Sequence, residues 1–518
     1  MIMEKNLIPS TPGTAPNYWC TWSLQNVAWA KGVEGIEPKE FEGSTGSAHA
    51  RATINEAYLL GDEGWAKIFY PRNRGDLFLV LDDGWDAPPA GEMITHLGSM
   101  VLDPEKYPGL RGETVTDRLR ELNEAVKAEG WRGLGLWLPA QESAAYMEAH
   151  EDMEPEEYWG ERADWCREAG IEYWKVDWGI FAGNHEYRRL ISRVAAEHHP
   201  GLIIEHSVGC GMFNLGDLGR VDMGWAARVV DQCTFSNVNR LYDICPQLAI
   251  PTMLDRLQGA LRYAITVGED TTCILNVEDE AYIGAVTGCA FGVMRYPKGD
   301  YPESFTGIIH HSGTRLDEVA RALNWQRIAP PFPAGMMDVH VSDEILSDEH
   351  TFEAGETWDS SVFGKKVIQS APAVIARNII PPAVIDVDPN TDKPFLLATK
   401  FPNGAIAVGT FGRVNDDGYR LPVVPVHLEI PGLGTVIGIF GRYKSLKLHN
   451  KHGVAAKHIW AQDLAGSETI DICDRVDFDE EGMTISGEVI DEFGLAAATS
   501  GDESDPGLVI SIGEGEEE

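Results

Sequence analysis

Ile171-Glu172-Tyr173-Trp174-Lys175-Val176-Asp177-Trp178-Gly179 is the stretch whose reading decides the fold. It follows a helical pattern from Glu157 to Ala169 that ends at Gly170, the residue best suited to a left-handed helix C-cap. The aromatic and β-branched run after it reads as a short buried strand. Lys175 and Asp177 stand two apart, so they share one side of that strand, where it stops at Trp178-Gly179. In a barrel of parallel strands, a charged pair at a strand's C-terminal end lies at the mouth, where barrel enzymes do their chemistry. The structural alternative is an ion pair that merely closes a strand end.

Working outward, Tyr18 to Ser23 is a short aromatic strand, and Asp76-Leu77-Phe78-Leu79-Val80-Leu81 is a buried one running into Asp82-Asp83-Gly84-Trp85. Thr114 to Glu129 is an amphipathic helix, and Gly133 to Pro139 is the next strand. After the central strand come a helix from His185 to His198, a strand Leu202 to Ser207, and a shorter strand Arg228-Val229-Val230-Asp231. A helix from Met253 to Thr266, then Cys273 to Asn276 and Ala285 to Met294, complete the alternation. Strands alternating with helices at this spacing predict a parallel sheet closed into a (β/α)8 TIM barrel. Beyond residue 345 helical periodicity fades, and runs such as Phe395 to Thr399 and Ala405 to Phe411 read as strands. The expected division is a catalytic barrel over 1–345, a C-terminal antiparallel β-sandwich over 346–510 and an acidic tail over 511–518.

The composition narrows the class. The 518 residues exceed one ordinary domain, and 43% hydrophobic content with 15 Trp supports a large core. Acidic residues number 81 against 42 basic, for a net charge of -39, which argues against nucleic acid or an anionic membrane as partner. The N-terminus shows no secretory pattern, and no apolar run is long enough to span a bilayer. Eight Cys without a CxxC pair fit reduced thiols and give no zinc signature. A soluble cytoplasmic protein is expected, and a homo-oligomer is left open.

The strand ends gather Asp82, Asp83, Lys175, Asp177, Glu205, His206, Asp222 and Asp231. Adjacent carboxylates such as Asp82 and Asp83 repel unless a cation, a metal or a polyhydroxyl ligand serves both. Two carboxylates across one mouth are the minimum for glycoside hydrolysis. A metal-dependent sugar isomerase or aldolase would instead use Asp177, Glu205, His206 and His185 as ligands, although Lys175 would crowd that cation. A carbohydrate-binding protein without catalysis on the same fold is the third reading.

Taken in order, Leu81-Asp82-Asp83-Gly84-Trp85, Lys106-Tyr107-Pro108-Gly109-Leu110, Gly133-Leu134-Gly135-Leu136-Trp137 and Tyr173-Trp174-Lys175-Val176-Asp177 resemble the α-galactosidases and their relatives, a TIM-barrel clan of retaining α-glycosidases. Gly219 to Gly224 is similar to the segment ahead of that family's acid/base strand. The resemblance implies a retaining exo-acting α-glycosidase with a carbohydrate substrate and neither cofactor nor metal. It implies Asp177 as nucleophile and Asp231, at the end of the sixth strand, as general acid/base, with Asp222 as second choice. Asp82 and Asp83 would hold the 4- and 6-hydroxyls of a galactose-like ring, Lys175 hydroxyls near O3 and O4, and Trp85 and Trp137 would be apolar walls. Glu205, His206 and Arg228 would join the sugar contacts, and Ser207 or Cys210 would replace a family cysteine. The chain departs from the family at Leu138-Pro139-Ala140-Gln141-Glu142, where many relatives carry Glu-Pro-Glu, and around Asp231, which lacks the usual aromatic-Ser-Asp signature.

Overall fold

The structure is a computed structural model that describes residues 6–30, 47–89, 93–207, 223–241, 250–268, 271–294, 314–353, 362–432, 434–450, 456 and 458–513. Eight parallel strands form the first sheet: β1 (Tyr18–Cys20), β2 (Phe78–Leu81), β3 (Gly133–Leu138), β4 (Tyr173–Val176), β5 (Ile203–Ser207), β6 (Val238–Arg240), β7 (Ile274–Asn276) and β8 (Gly292–Val293). From β1 to β7 each strand pairs with the next in sequence, and β1 pairs with β8. The remaining seam closes through the Asn276–Ala290 bridge, where Val277 N donates to Ala290 O at 3.0 Å and Ala290 N to Leu275 O at 2.8 Å. The sheet is therefore a closed (β/α)8 barrel.

Alternation sorts the side chains. Tyr18, Cys20, Phe78, Val80, Tyr173 and Met294 form a cluster inside the barrel, while Trp19, Leu79, Leu81, Leu134, Leu136 and Trp174 join the main core beneath the helices. Gly135 is a glycine because a Cβ there would meet Val80 Cγ2 at 2.7 Å. The helix Pro155–Ala169 ends at Gly170 in the left-handed conformation, φ 69°, and this turn feeds β4.

One expected strand is a helix. Arg228-Val229-Val230-Asp231 lies within the helix Met223–Cys233, whose Trp225, Ala226, Val229, Val230 and Cys233 are buried. That spacing is a helical stripe, which four residues taken alone conceal. The sixth barrel strand is Val238–Arg240 instead. The candidates Cys210 and Asp222, and most of the Gly219–Gly224 segment, lie outside the described residues.

The C-terminal half is a β-sandwich. An eight-stranded and a five-stranded sheet enclose a core that includes Leu396, Val408, Val426, Leu448, Ile485 and Ile510. Most pairs are antiparallel, but Val374–Arg377 pairs parallel with Phe395–Lys400, Ile406–Phe411 with Val436–Phe440, and Pro425–Glu429 with Ser445–His449. The strand Val339–Val341 already belongs to this unit, and its last strand runs to Gly513. No helix among the described residues is long and apolar enough to cross a membrane.

Candidate active site

Four strand ends converge on Asp177. Its Oδ1 meets Arg240 Nη2 at 2.8 Å and accepts from Ser207 Oγ at 3.3 Å. Its Oδ2 accepts from Trp137 Nε1 at 3.1 Å, with Lys175 Nζ at 3.8 Å. These groups come from the C-terminal ends of β3, β4, β5 and β6, so the site sits at the barrel mouth. Burial alone would raise the Asp177 pKa. Arg240 and Lys175, with the Trp137 hydrogen bond, outweigh burial and hold it at about 2. The carboxylate is ionised at any physiological pH.

Lys175 donates to Asp82 Oδ2 at 2.7 Å, which also accepts from the Cys20 thiol at 2.9 Å. Burial opposes the charge on Lys175, but Asp82 beside it wins and the ammonium is held well above its ordinary pKa. Asp83 is differently engaged. Both its oxygens are bound by one guanidinium, Arg51 Nε at 2.7 Å and Nη2 at 2.8 Å. Burial pushes the Asp83 carboxyl up to about 6 against the pull of that arginine. Arg51 also lies over the Trp178 ring at 5.6 Å, and Trp178 in turn leans on Trp137 with centroids 5.6 Å apart.

Asp82, Asp83, Trp137, Lys175, Asp177 and Ser207 are thus brought together. Other sequence candidates go elsewhere. Trp85 is core, fully buried, its Nε1 bonded to Trp137 O at 2.9 Å. Glu205 lies inside the barrel, accepting from Tyr18 at 3.1 Å, Tyr173 at 3.0 Å and Asn276 at 2.6 Å. Burial raises its pKa, with Arg240 and Asn276 pulling the other way.

His206 faces outward by strand alternation. Its Nδ1 accepts from Arg188 at 3.1 Å, which leaves Nε2–H to donate to Ser192 Oγ at 2.8 Å. Burial, then Arg188, pushes its pKa well below the ordinary range, so it is neutral. Asp231, expected at a strand end, is a helical residue with its side chain 45% exposed, paired with His185 at 2.5 Å and Arg189 at 3.3 Å. Arg228 on the same helix is exposed.

The sequence reading missed Arg240 and Arg51. Arg240 joins Asp177 to Glu278 at 2.8 Å and Glu205 at 3.4 Å. Its only sequence signal was the alternation in Val238-Asn239-Arg240, hidden because Asn239 turns outward to Gln232 at 2.9 Å. Among the described residues, no group of three His, Cys, Asp or Glu side chains could hold a metal ion.

No family model matches this sequence, and no curated protein matches it. Among solved structures, the chain is similar to a GH27 β-L-arabinopyranosidase from Geobacillus stearothermophilus in complex with arabinose, at 9% identity over 98% of both chains with a TM-score of 0.41. It is similar to a proposed α-N-acetylgalactosaminidase from Bacillus halodurans C-125 at 8% identity, 98% and 100% coverage and a TM-score of 0.40. The carboxyl transferase domain of Rhizobium etli pyruvate carboxylase matches at 13% identity, over 61% of this chain and 47% of that one, with a TM-score of 0.30.

Proposed function

We propose that this chain is a retaining exo-acting α-glycosidase, α-galactosidase-like, with Asp177 as nucleophile. The observation that carries the reading is a carboxylate at a barrel mouth held at about 2 by two cations and an indole N–H. Such a group stays anionic and oriented, as attack on an anomeric carbon requires. In the first step an Asp177 oxygen bonds to the anomeric carbon, the bond to the leaving oxygen breaks, and an acid protonates that oxygen. In the second step water, losing its proton to the same group, displaces the carboxylate.

For the acid, Asp231 is one assignment, and its partners His185 and Arg189 make it the weaker one. Asp222, the second choice from the sequence, lies outside the described residues. The six described cysteines are free thiols, which supports a reducing, cytoplasmic compartment.

The test is a panel of 4-nitrophenyl glycosides covering α-D-galactose, α-N-acetylgalactosamine, β-L-arabinopyranose and α-D-glucose. Asp177→Gly should be inactive on the cleaved substrate and rescued by azide to a glycosyl azide of inverted configuration. Of Asp231→Gly and Asp222→Gly, the true acid variant should keep activity only on good leaving groups. A first-formed sugar of inverted configuration by NMR would sink the mechanism.

A further inference from the structure

The geometry points to Arg51 as the specificity-determining donor of this mouth, reading one hydroxyl oxygen, on C3, C4 or C6, of a galactose-configured sugar. It rests on the reading of Asp177 as the group that meets that carbon.

The sequence offers Asp82 and Asp83 as acceptors for sugar hydroxyls. Both oxygens of Asp83 are already given to the Arg51 fork, and the pair is nearly buried, at 7% and 4% side-chain exposure. The fork takes one acceptor site on each oxygen, about half of what the carboxylate has. The guanidinium also has something left. Nε and Nη2 face Asp83, while among the described residues Nη1 has no hydrogen-bond partner. Trp178, the residue after the proposed nucleophile, lies beneath the same group at 5.6 Å. Arg51 thus brings one terminal nitrogen without a partner among the described residues to the ends of β2 and β4.

This arrangement is built. Gly84 adopts φ +95°, and a Cβ on it would lie 2.4 Å from Arg51 Cβ, so only glycine lets the helix Ser47–Thr53 come this close. Lys106 Nζ donates to Gly84 O at 2.6 Å and to Arg51 O at 3.1 Å, tying the two backbones together. Gln25 Nε2 holds Asp83 O at 2.9 Å from the other side. A buried pair fixed at three points costs desolvation that stability alone does not require. A donor held this rigidly loses little freedom when it binds a ligand oxygen.

The ligand oxygen is identified by a thermodynamic cycle. Binding of free galactose and of its 3-, 4- and 6-deoxy analogues to the full chain is measured by calorimetry, with wild type and Arg51→Met. In wild type, deleting the oxygen that Arg51 reads should weaken binding about tenfold or more, since an unpaired donor is left behind. In Arg51→Met the same deletion should cost almost nothing, while the other two deletions keep their cost. Because Arg51→Met strands a buried carboxylate, the double variant Arg51→Met with Asp83→Asn is measured beside it and should give the same cycle. If all three deletions cost the same in variant and wild type, or galactose does not bind, Arg51 does not read the sugar. If the cycle holds but Asp177→Gly shows no azide rescue, the proposed hydrolysis falls and the binding role of Arg51 stands.

Discussion

Lys175 serves two carboxylates at once, Asp82 at 2.7 Å and Asp177 at 3.8 Å, and its removal should therefore have two separable effects. Lys175→Met leaves Asp82 buried with, among the described residues, the Cys20 thiol as the side-chain donor to its carboxylate. Breaking a buried pair on one side costs about 3–5 kcal/mol, which a denaturant titration would read. Asp177 meanwhile loses one of its two cations, so its pKa should climb from about 2 toward the ordinary carboxylate range. The acid limb of kcat/KM should move up by on the order of one unit. A variant as stable as wild type with an unmoved limb would remove Lys175 from the site. The Lys175–Asp177 pair was legible in the sequence because two residues on one strand face must be neighbours. Arg240 and Arg51 were not, because nothing local ties a distant strand or helix to Asp177. Only the closed barrel does that.

The helix His185–His198 shows how an element outside the barrel can steer a residue inside it. Its Arg188 donates to the backbone oxygens of Asp177 at 2.6 Å, Val176 at 3.2 Å and Ala182 at 2.7 Å, and to the ring of His206. The strand end that carries Asp177 is thus clamped from behind. Arg188→Lys keeps the charge but not the fork, so the strand end should loosen. A displacement of even about 1 Å at a nucleophile can cost on the order of 100-fold. The expected result is a kcat lower by roughly 10- to 100-fold with KM little changed, because the sugar contacts are untouched. An unchanged kcat would make the clamp purely structural. The outward His206 also explains why a strand-end Glu-His looked like a site. Period-two alternation sends Glu205 into the barrel and His206 to the helix layer, so neither is free at the mouth. The mistaken strand at Arg228 to Asp231 has the opposite cause. Its two valines fit either period, and the helical stripe appears only once Trp225 and Cys233 are included.

At the scale of the whole molecule, pH and salt act through buried and surface carboxylates together. Asp83 and Asp86 are raised to about 6 and about 7, burial being the largest cause in each. The folded chain binds those protons more tightly than the unfolded one, whose carboxylates titrate near about 3.9. Their contribution is complete below that value and is lost as pH rises through 6 to 7. Asp177 has the opposite sign: its contribution is present above about 3.9 and fades only as pH falls toward the acid extreme. The net charge of -39 also repels itself less as pH falls. Thermal melts should therefore rise from pH 8 to a maximum between about pH 4 and 5, and added salt should raise Tm at pH 8 more than at the maximum. A Tm that falls steadily below pH 7 would contradict this.

The same scale decides whether the barrel can live without its neighbour. The helix Leu316–Ile328 presents Trp325 to Phe401, just after the sandwich strand Phe395–Lys400, and to Phe440, at the end of the strand Val436–Phe440, with centroids 5.8 and 6.1 Å apart. Arg321 of that helix pairs with Asp463 at 2.9 Å, with both side chains buried. From the other side, Arg377 donates to Thr287 O at 2.6 Å, at the C-terminal end of the helix Ala281–Thr287, and stacks on Phe332 at 3.9 Å. Removing the sandwich would expose this apolar surface and leave Arg321 without its carboxylate. The cut must also fall before Val339, since that strand already pairs with Val374–Arg377. A chain ending at residue 338 is therefore expected to be insoluble, because an exposed apolar face of this kind drives association. Trp325→Ala in the full chain tests the contact more gently. It should lower stability by about 3–5 kcal/mol in a single cooperative transition, since barrel and sandwich share the packing that Trp325 fills. Recovery of a soluble, monomeric barrel from the truncated chain, or two separate transitions in the full one, would show that the barrel is stable on its own.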